Sequence, residues 1–422
     1  MSGDTTGLGD SKYGKRKLQI KKEDLYMLTA LWMEQSPWAM TTTDSDKERV
    51  VGAVFVQPND RVLSVDCSRS NDGGIVHGAI RALLKYPDQV EGCYVYLSRQ
   101  PCAHCVKMLV QAAVKKVFYL PLKPEKDEEK ENQSVDALFK VSPVSREVYV
   151  PNITEGDLEE LASANKKNLY GKRKLEKDES VALKVEWADE SVAPEDAYEW
   201  KEWKELKNDN KIVGWNEYSD QEIKKQVHKD MTSFFKWYVQ GILETGEKEM
   251  NFKVRGSKTT QGPDVTQKVA NHLSRLAQML SNRTDDPNRG VGCVIIIDEE
   301  IVATGWNGYP SKALYGNHPR LGKSVDNTRP DTSPNTRPDS KYPHVIHAEQ
   351  NALMRRNKRN LDGATAFVNK IPCNECLPML CDAGVKTLYL SKGAFKKKEK
   401  TEENFYKLLE KPGNPLIVYE QY

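Results

Sequence analysis

Two stretches of this chain set a histidine ahead of a pair of cysteines spaced C-x-x-C. One holds His77 with Cys102 and Cys105, the other His347 with Cys373 and Cys376. A lone C-x-x-C fits redox chemistry, a structural metal or chance. An imidazole followed by two thiols, each at a predicted helix start and each after a strand, is far more specific. One nitrogen and two sulfurs give zinc three protein ligands and leave a fourth place open, the arrangement of catalytic rather than structural sites. No further Cys or His lies close enough in sequence to close the later site, and Cys381, five residues beyond Cys376, reads as a core thiol. Open zinc lowers the pKa of a bound water to about 7. Two residues after His347 stands Glu349, off the ligand's face of the helix and so free to move protons. At the same place in the earlier stretch stands Ala79, which moves none. The competing reading of the later set is a structural zinc knuckle beside a surface glutamate.

The elements that must position these groups also come twice. Leu25, Leu28, Leu31 and Trp32 share one face of a helix predicted over 21–36. "VVGAVFV" and "RVLSV" read as two strands, the His77 segment as a helix and "CYVYL" as a strand. "PCAHCVKMLVQAAV" then reads as a helix opened by proline and "KVFYL" as a strand. The order returns with a helix over 265–280, the strands "VGCVIII" and "IVATGW", the His347 helix, "TAFVN", the Cys373 helix and "VKTLYL". Such a repeat implies a tandem duplication, and alternating strands and helices imply α/β sandwiches of three layers, α/β/α.

The predicted divisions are a disordered tail over 1–20, a first copy over 21–150, a charged, partly helical connector over 151–263 and a second copy over 264–422. In the first copy "PEKDEEKEN" (124–132) reads as a solvated loop. In the connector, Thr154 to Ala164 reads as a capped acidic helix, and Ser219 with Glu222 as the capping box of an amphipathic helix. The net charge of +2 carries no polyanion-binding signature. No apolar run suffices to span a bilayer and no apolar signal core opens the chain. The eight cysteines therefore read as thiols and metal ligands in a reducing compartment, cytoplasmic or nuclear. The basic hexapeptide "YGKRKL", at Tyr13 and again at Tyr170, fits either an import signal or a solvated tail.

The run "VGCVIII…GWNGYPS…YPHVIHAEQNAL…PCNECLPMLCDAG" resembles the deoxycytidylate deaminase branch of the zinc cytidine deaminase superfamily, and the whole chain its tandem members. The resemblance implies tandem cytidine-deaminase-like sandwiches and hydrolytic deamination of a free deoxycytidine nucleotide, the triphosphate favoured over the monophosphate. It implies His347, Cys373 and Cys376 as zinc ligands, Glu349 as proton carrier and Asn307 as a sugar contact, against a turn reading of Asn307 from its N-G step. The insert before the metal helix carries Lys312, Arg320, Lys323, Arg329 and Arg337, with Lys341 at its end. These cations suit phosphate, or else a solvated loop. Members of the family assemble into oligomers, so a homo-oligomer is expected, a trimer above all.

His77, Cys102 and Cys105 keep the ligand set in the first copy, so a non-catalytic or structural zinc is expected there, the alternative being no metal. Scaffolding, oligomer contacts or a regulatory nucleotide are roles open to such a copy. Two other activities fit the motifs. One is cytosine deamination within RNA or single-stranded DNA, which the connector's Trp187, Trp200, Trp203 and Trp215 favour but its acidity and the near-neutral charge oppose. The other is a non-catalytic nucleotide sensor.

Overall fold

Strands buried on both faces set the architecture. In the first copy the elements run α1 (Lys22–Glu34), β1 (Gly52–Val56), β2 (Val62–Cys67), a short hairpin of β3 (Arg69–Asn71) and β4 (Gly74–Val76), α2 (Gly78–Leu84), β5 (Tyr94–Leu97), α3 (Ala103–Gln111), β6 (Lys116–Tyr119), α4 (Glu129–Lys140) and β7 (Ser145–Val148). Then come α5 (Gln221–Leu243) and β8 (Phe252–Val254). The second copy runs α6 (Gln267–Ser281), β9 (Gly292–Ile297), β10 (Glu300–Trp306), α7 (Ala348–Arg355), β11 (Ala364–Val368), α8 (Cys376–Asp382), β12 (Val385–Leu390) and β13 (Ile417–Gln421). The structure is a computed structural model. It describes residues 20–41, 48–71, 74–153, 221–243, 251–254, 265–286, 289–310, 341, 344–391 and 416–421.

Two mixed sheets result, ordered β2-β1-β5-β6-β7 and β10-β9-β11-β12-β13-β8. The antiparallel pairs of these sheets are β1–β2, β1–β5, β9–β10, β9–β11 and β8–β13, while β6 and β7 run parallel to β5, and β12 and β13 to β11. Successive side chains on a strand face opposite ways. Val54 and Val56 therefore join the core that α1, α5 and α6 share, while Ala53 and Phe55 join the one built with α2, α3 and α4. In the second sheet Val294 and Ile296 join the same shared helical layer, and Cys293 and Ile295 face α7 and α8. Each copy is thus an α/β/α sandwich, and the two share one core through α1, α5 and α6.

The copies meet in the shared helical layer and along the sheet edges. The indole Nε1 of Trp32 donates to the carbonyl of His272 at 3.1 Å, and the two rings stack 4.7 Å apart. At the sheet edges, Asn357 Nδ2 donates to the carbonyls of Leu63 (2.8 Å) and Ile301 (3.4 Å), and Arg61 reaches the carbonyl of Arg356.

Four expectations change. Ile20, placed in the tail by sequence, is 3 % exposed and its N–H donates to the carbonyl of Asn282. The run 124–132 is only partly a solvated loop: 127–130 are exposed, but Glu125 is 1 % exposed and residues 129–132 open α4, whose Val135 and Phe139 are buried. The connector holds a strand as well as a helix, because β8 pairs antiparallel with β13 at the edge of the second sheet. Hairpin β3–β4, β7 and β13 were not expected at all. The helix expected at Thr154 to Ala164, the cap residue Ser219 and the connector tryptophans lie outside the described residues.

Candidate metal centres and active site

His347 sits at the N-cap of α7 with extended backbone (φ −77°, ψ 158°), and its N–H donates to Gln350 Oε1 at 2.9 Å. This cap fixes the residue at the helix mouth, where its Nδ1 lies 3.1 Å from Cys373 Sγ and 3.3 Å from Cys376 Sγ. One ion at about 2.1 Å from nitrogen and about 2.3 Å from sulfur spans such gaps, so the donors fit zinc. Hydrogen bonding with Cys376, and next with His347, holds the Cys373 thiol well below its ordinary range, which prepares it as a thiolate ligand. Among the described residues this cluster holds three ligands.

Glu349, in the first turn of α7, is 3 % exposed. Burial pushes its carboxyl up from the ordinary range. A carboxyl so placed holds a proton more readily than an exposed one, which suits a group that must both take and return it. Cys293 on β9 lies beside it, its thiol raised by burial and then by the Glu349 charge. Close contact of helix and sheet keeps this geometry. A Cβ on Gly305 would lie 2.4 Å from the Ala348 carbonyl oxygen, so only glycine lets β10 approach the metal helix.

The other candidates divide. Asn307 is buried just past β10, where its Oδ1 accepts from Val291 N at 2.7 Å and its Nδ2 donates to the Arg289 carbonyl at 2.9 Å. It ties the start of β9 to the end of β10. Lys341, grouped with the phosphate candidates by sequence, is 4 % exposed and its Nζ contacts both Asp286 carboxylate oxygens, at 2.5 and 2.6 Å. Lys312, Arg320, Lys323, Arg329 and Arg337 lie outside the described residues. Cys381 on α8 is half-buried against the second core.

In the first copy His77 is the N-cap of α2 and Cys102 that of α3. His77 Nδ1 lies 3.3 Å from each of Cys102 Sγ and Cys105 Sγ. The three ligand types are therefore brought together here too. Ala79 is buried at the helix position that Glu349 holds in α7. Sequence reasoning missed a fourth member: Glu125, whose Oε1 lies 3.0 Å from His77 Nδ1. Nothing in its spacing separates it from the other acids of "PEKDEEKEN"; only its place directly after Pro124, in the turn that leaves β6, sets it apart.

The two halves also share their supporting bonds. Ser68 Oγ accepts from Val51 N (3.0 Å) and Ser98 Oγ from Gly52 N (2.9 Å). In the second copy the same amides, those of Val291 and Gly292, are taken by Asn307 Oδ1 (2.7 Å) and Asn369 Oδ1 (3.0 Å).

The family pattern "Cytidine and deoxycytidylate deaminase zinc-binding region" matches residues 28–121 and 267–392, together just over half of the chain. The chain belongs to this deaminase family. A zinc site is accordingly part of each copy, with its donors in place. The cytidine and dCMP deaminase domain-containing protein 1 of Danio rerio is 25% identical over 90% of this chain and 85% of its own length. The deoxycytidylate deaminase of Homo sapiens is 35% identical over 27% of this chain and 60% of its own length. A solved dCMP deaminase from the cyanophage S-TIM5, in complex with dCMP and dUMP, aligns at 22% identity with a TM-score of 0.26, over 37% of this chain and 99% of that one. No helix among the described residues is long and apolar enough to cross a membrane.

Proposed function

We propose that the second copy hydrolytically deaminates a free deoxycytidine nucleotide, dCTP before dCMP, and that the first copy is non-catalytic. The observation that carries this reading is the buried Glu349 carboxyl two residues from a three-ligand His347/Cys373/Cys376 cluster. When bound, zinc supplies the Lewis acid that makes water nucleophilic near neutral pH. Glu349 accepts a proton from that water and passes it to ring N3 as the oxygen bonds to C4. It then helps deliver a proton to the amino group as the C4–N bond breaks, leaving a carbonyl and ammonia. Support for a polyphosphate comes from the insert 311–340, with Lys312, Arg320, Lys323, Arg329 and Arg337, since guanidinium forks suit phosphate oxygens. Asn307 is proposed to shape the sugar side of the pocket through the strand ends it ties together.

The deciding experiment is ammonia release, with the product identified by mass, from cytidine and deoxycytidine nucleosides and their mono-, di- and triphosphates. Turnover of dCTP is expected to lead. A lead for dCMP would make the insert a regulatory or assembly element, and silence across the panel with zinc bound would sink the reading. The division into copies at 21–150 and 264–422 with a connector between them, and assembly into a homotrimer, belong to the same proposal. A monomeric mass in solution would rule out the trimer.

A further inference from the structure

The first copy places a carboxylate where a catalytic zinc site needs an open position. The donor atoms of His77, Cys102, Cys105 and Glu125 all lie within 4.8 Å of one another, and all four residues are buried. Glu125 Oε1 stands 3.0 Å from His77 Nδ1, while Oε2 lies 3.4 Å from Cys105 Sγ and accepts the N–H of Cys102 at 2.9 Å. Oε1 thus faces the imidazole nitrogen with which it would share a metal, while Oε2 is steadied by the mouth of α3, the division of labour that orients ligating carboxylates.

The segment carrying Glu125 is pinned on every side. Its N–H donates to the Gln100 carbonyl and its carbonyl accepts from Arg49 N, both at 2.9 Å. Glu48 and Lys126 form an antiparallel bridge beside it. The fully buried Arg99 fork grips Glu34 at 2.9 and 3.0 Å and donates to the Lys123 carbonyl at 3.1 Å. Leu120 and Leu122 anchor the same stretch in the shared core. A carboxylate this deep is costly unless it is matched by a cation or a metal, and a loop so fixed has no room to swing it out.

We infer that Glu125 is the fourth protein ligand of the first-copy zinc, which makes that site coordinatively closed and structural. A set of four protein ligands in tetrahedral array is the structural form, and three with one open place the catalytic form. This goes beyond the loss of the proton carrier at Ala79: the first copy has lost its water position as well. The inference rests on the reading of the first copy as non-catalytic and names the reason.

The test uses the full-length chain carrying His347→Ala, which leaves the first site as its intact metal site. The metal is exchanged for Co(II), and azide is titrated while the visible d–d bands are followed. With Glu125 in place the spectrum is expected to ignore azide, and in the added Glu125→Ala variant to shift on binding. Zinc release to a chelator is expected to quicken about 10- to 100-fold in Glu125→Ala. An azide response in the chain that keeps Glu125, or an unchanged release rate on its removal, would overturn the inference. Should Glu125→Ala fold poorly, Glu125→Gln keeps the volume, and the azide titration of the chain with Glu125 present decides alone. Ammonia production by the His347→Ala chain would sink the non-catalytic reading separately, whatever the cobalt spectra show.

Discussion

At the mouths of α2 and α7 the chain presents the same imidazole and the same thiol pair, held by the same frame. His77 and His347 are both N-caps with extended backbone, and the amides at the start of β1 and β9 are taken by Ser68 and Ser98 in one copy and by Asn307 and Asn369 in the other. Against this constancy, two differences stand out. The second copy has buried Glu349 in its first helical turn, where the first has Ala79, and the first has Glu125 within the ligand cluster. The frame that holds a metal is thus separable from the groups that use it. A proton carrier is one side chain, and an open coordination place can be filled from a neighbouring loop without disturbing the sheet.

The copies also solve one packing problem from opposite sides. Helix and strand must touch near the histidine. In the second copy the glycine is on the strand, Gly305, whose added Cβ would meet the Ala348 carbonyl oxygen at 2.4 Å. In the first it is on the helix, Gly78, whose Cβ would lie 2.1 Å from the Val51 carbonyl oxygen. Gly78 is therefore the residue that allows close docking at the start of α2.

The comparison breaks hardest at Glu349. Glu349→Gln keeps the size and the zinc but removes the proposed proton carrier, and deamination is expected to fall by about 10²- to 10⁴-fold with two zinc ions per chain retained; rates beside metal analysis check this. Next comes the joint between the copies. Trp32→Ala removes a buried indole, its stack on His272 and its bond to the His272 carbonyl, and is expected to cost about 3–5 kcal/mol in urea unfolding. Gly78→Ala forces the Val51 peptide to move, at about 1–3 kcal/mol, whereas an alanine at a merely exposed helical glycine would stabilise; thermal unfolding gives the sign.

A pH effect of similar or smaller size belongs to the joint as well. Burial, and next the charge of Arg275, push the His272 imidazole down to about 3. The folded state therefore resists its protonation. Its contribution is complete above the ordinary value of about 6.5 and is lost as pH falls from there toward 3. At pH 5 the loss reaches at most about 2 kcal/mol. His272→Phe keeps a ring against Trp32 and is expected to flatten that part of the stability profile between pH 7.5 and 5. The smallest expected effect is none: Ala79→Glu, placed in a Glu349→Gln background, restores no ammonia release, because Glu125 still occupies the first cluster.

Much of the site was legible in sequence. The spacing of His347, Cys373 and Cys376, with Glu349 two residues past the histidine, carries its own chemistry, because ligand and carrier sit in short segments whose local structure is predictable. The duplicated strand–helix order was legible for the same reason: each strand is an apolar run of ordinary length. The misreadings fall where local signals are silent. Lys341 looks like any other cation of a basic insert until Asp286, 55 residues away, is folded against it. The strand at 252–254 is too short to announce itself and forms because the edge of β13 offers backbone partners.

The sequence by itself determined the ligand types, their order, the presence of Glu349 and the absence of a carrier at position 79, since these depend on residue identity and on spacing within a turn or two. Tertiary structure alone decided that α1, α5 and α6 form one core beneath both sheets, and that Glu125, in a run of acids that reads as solvent-facing, is carried by the turn after β6 into a cluster whose other members lie 20 to 48 residues earlier in the chain. The physical reason is range. Helix and strand preferences act over a few residues, whereas the burial of a carboxylate is decided by which distant backbone amides, imidazole and thiols are waiting when the sheet closes.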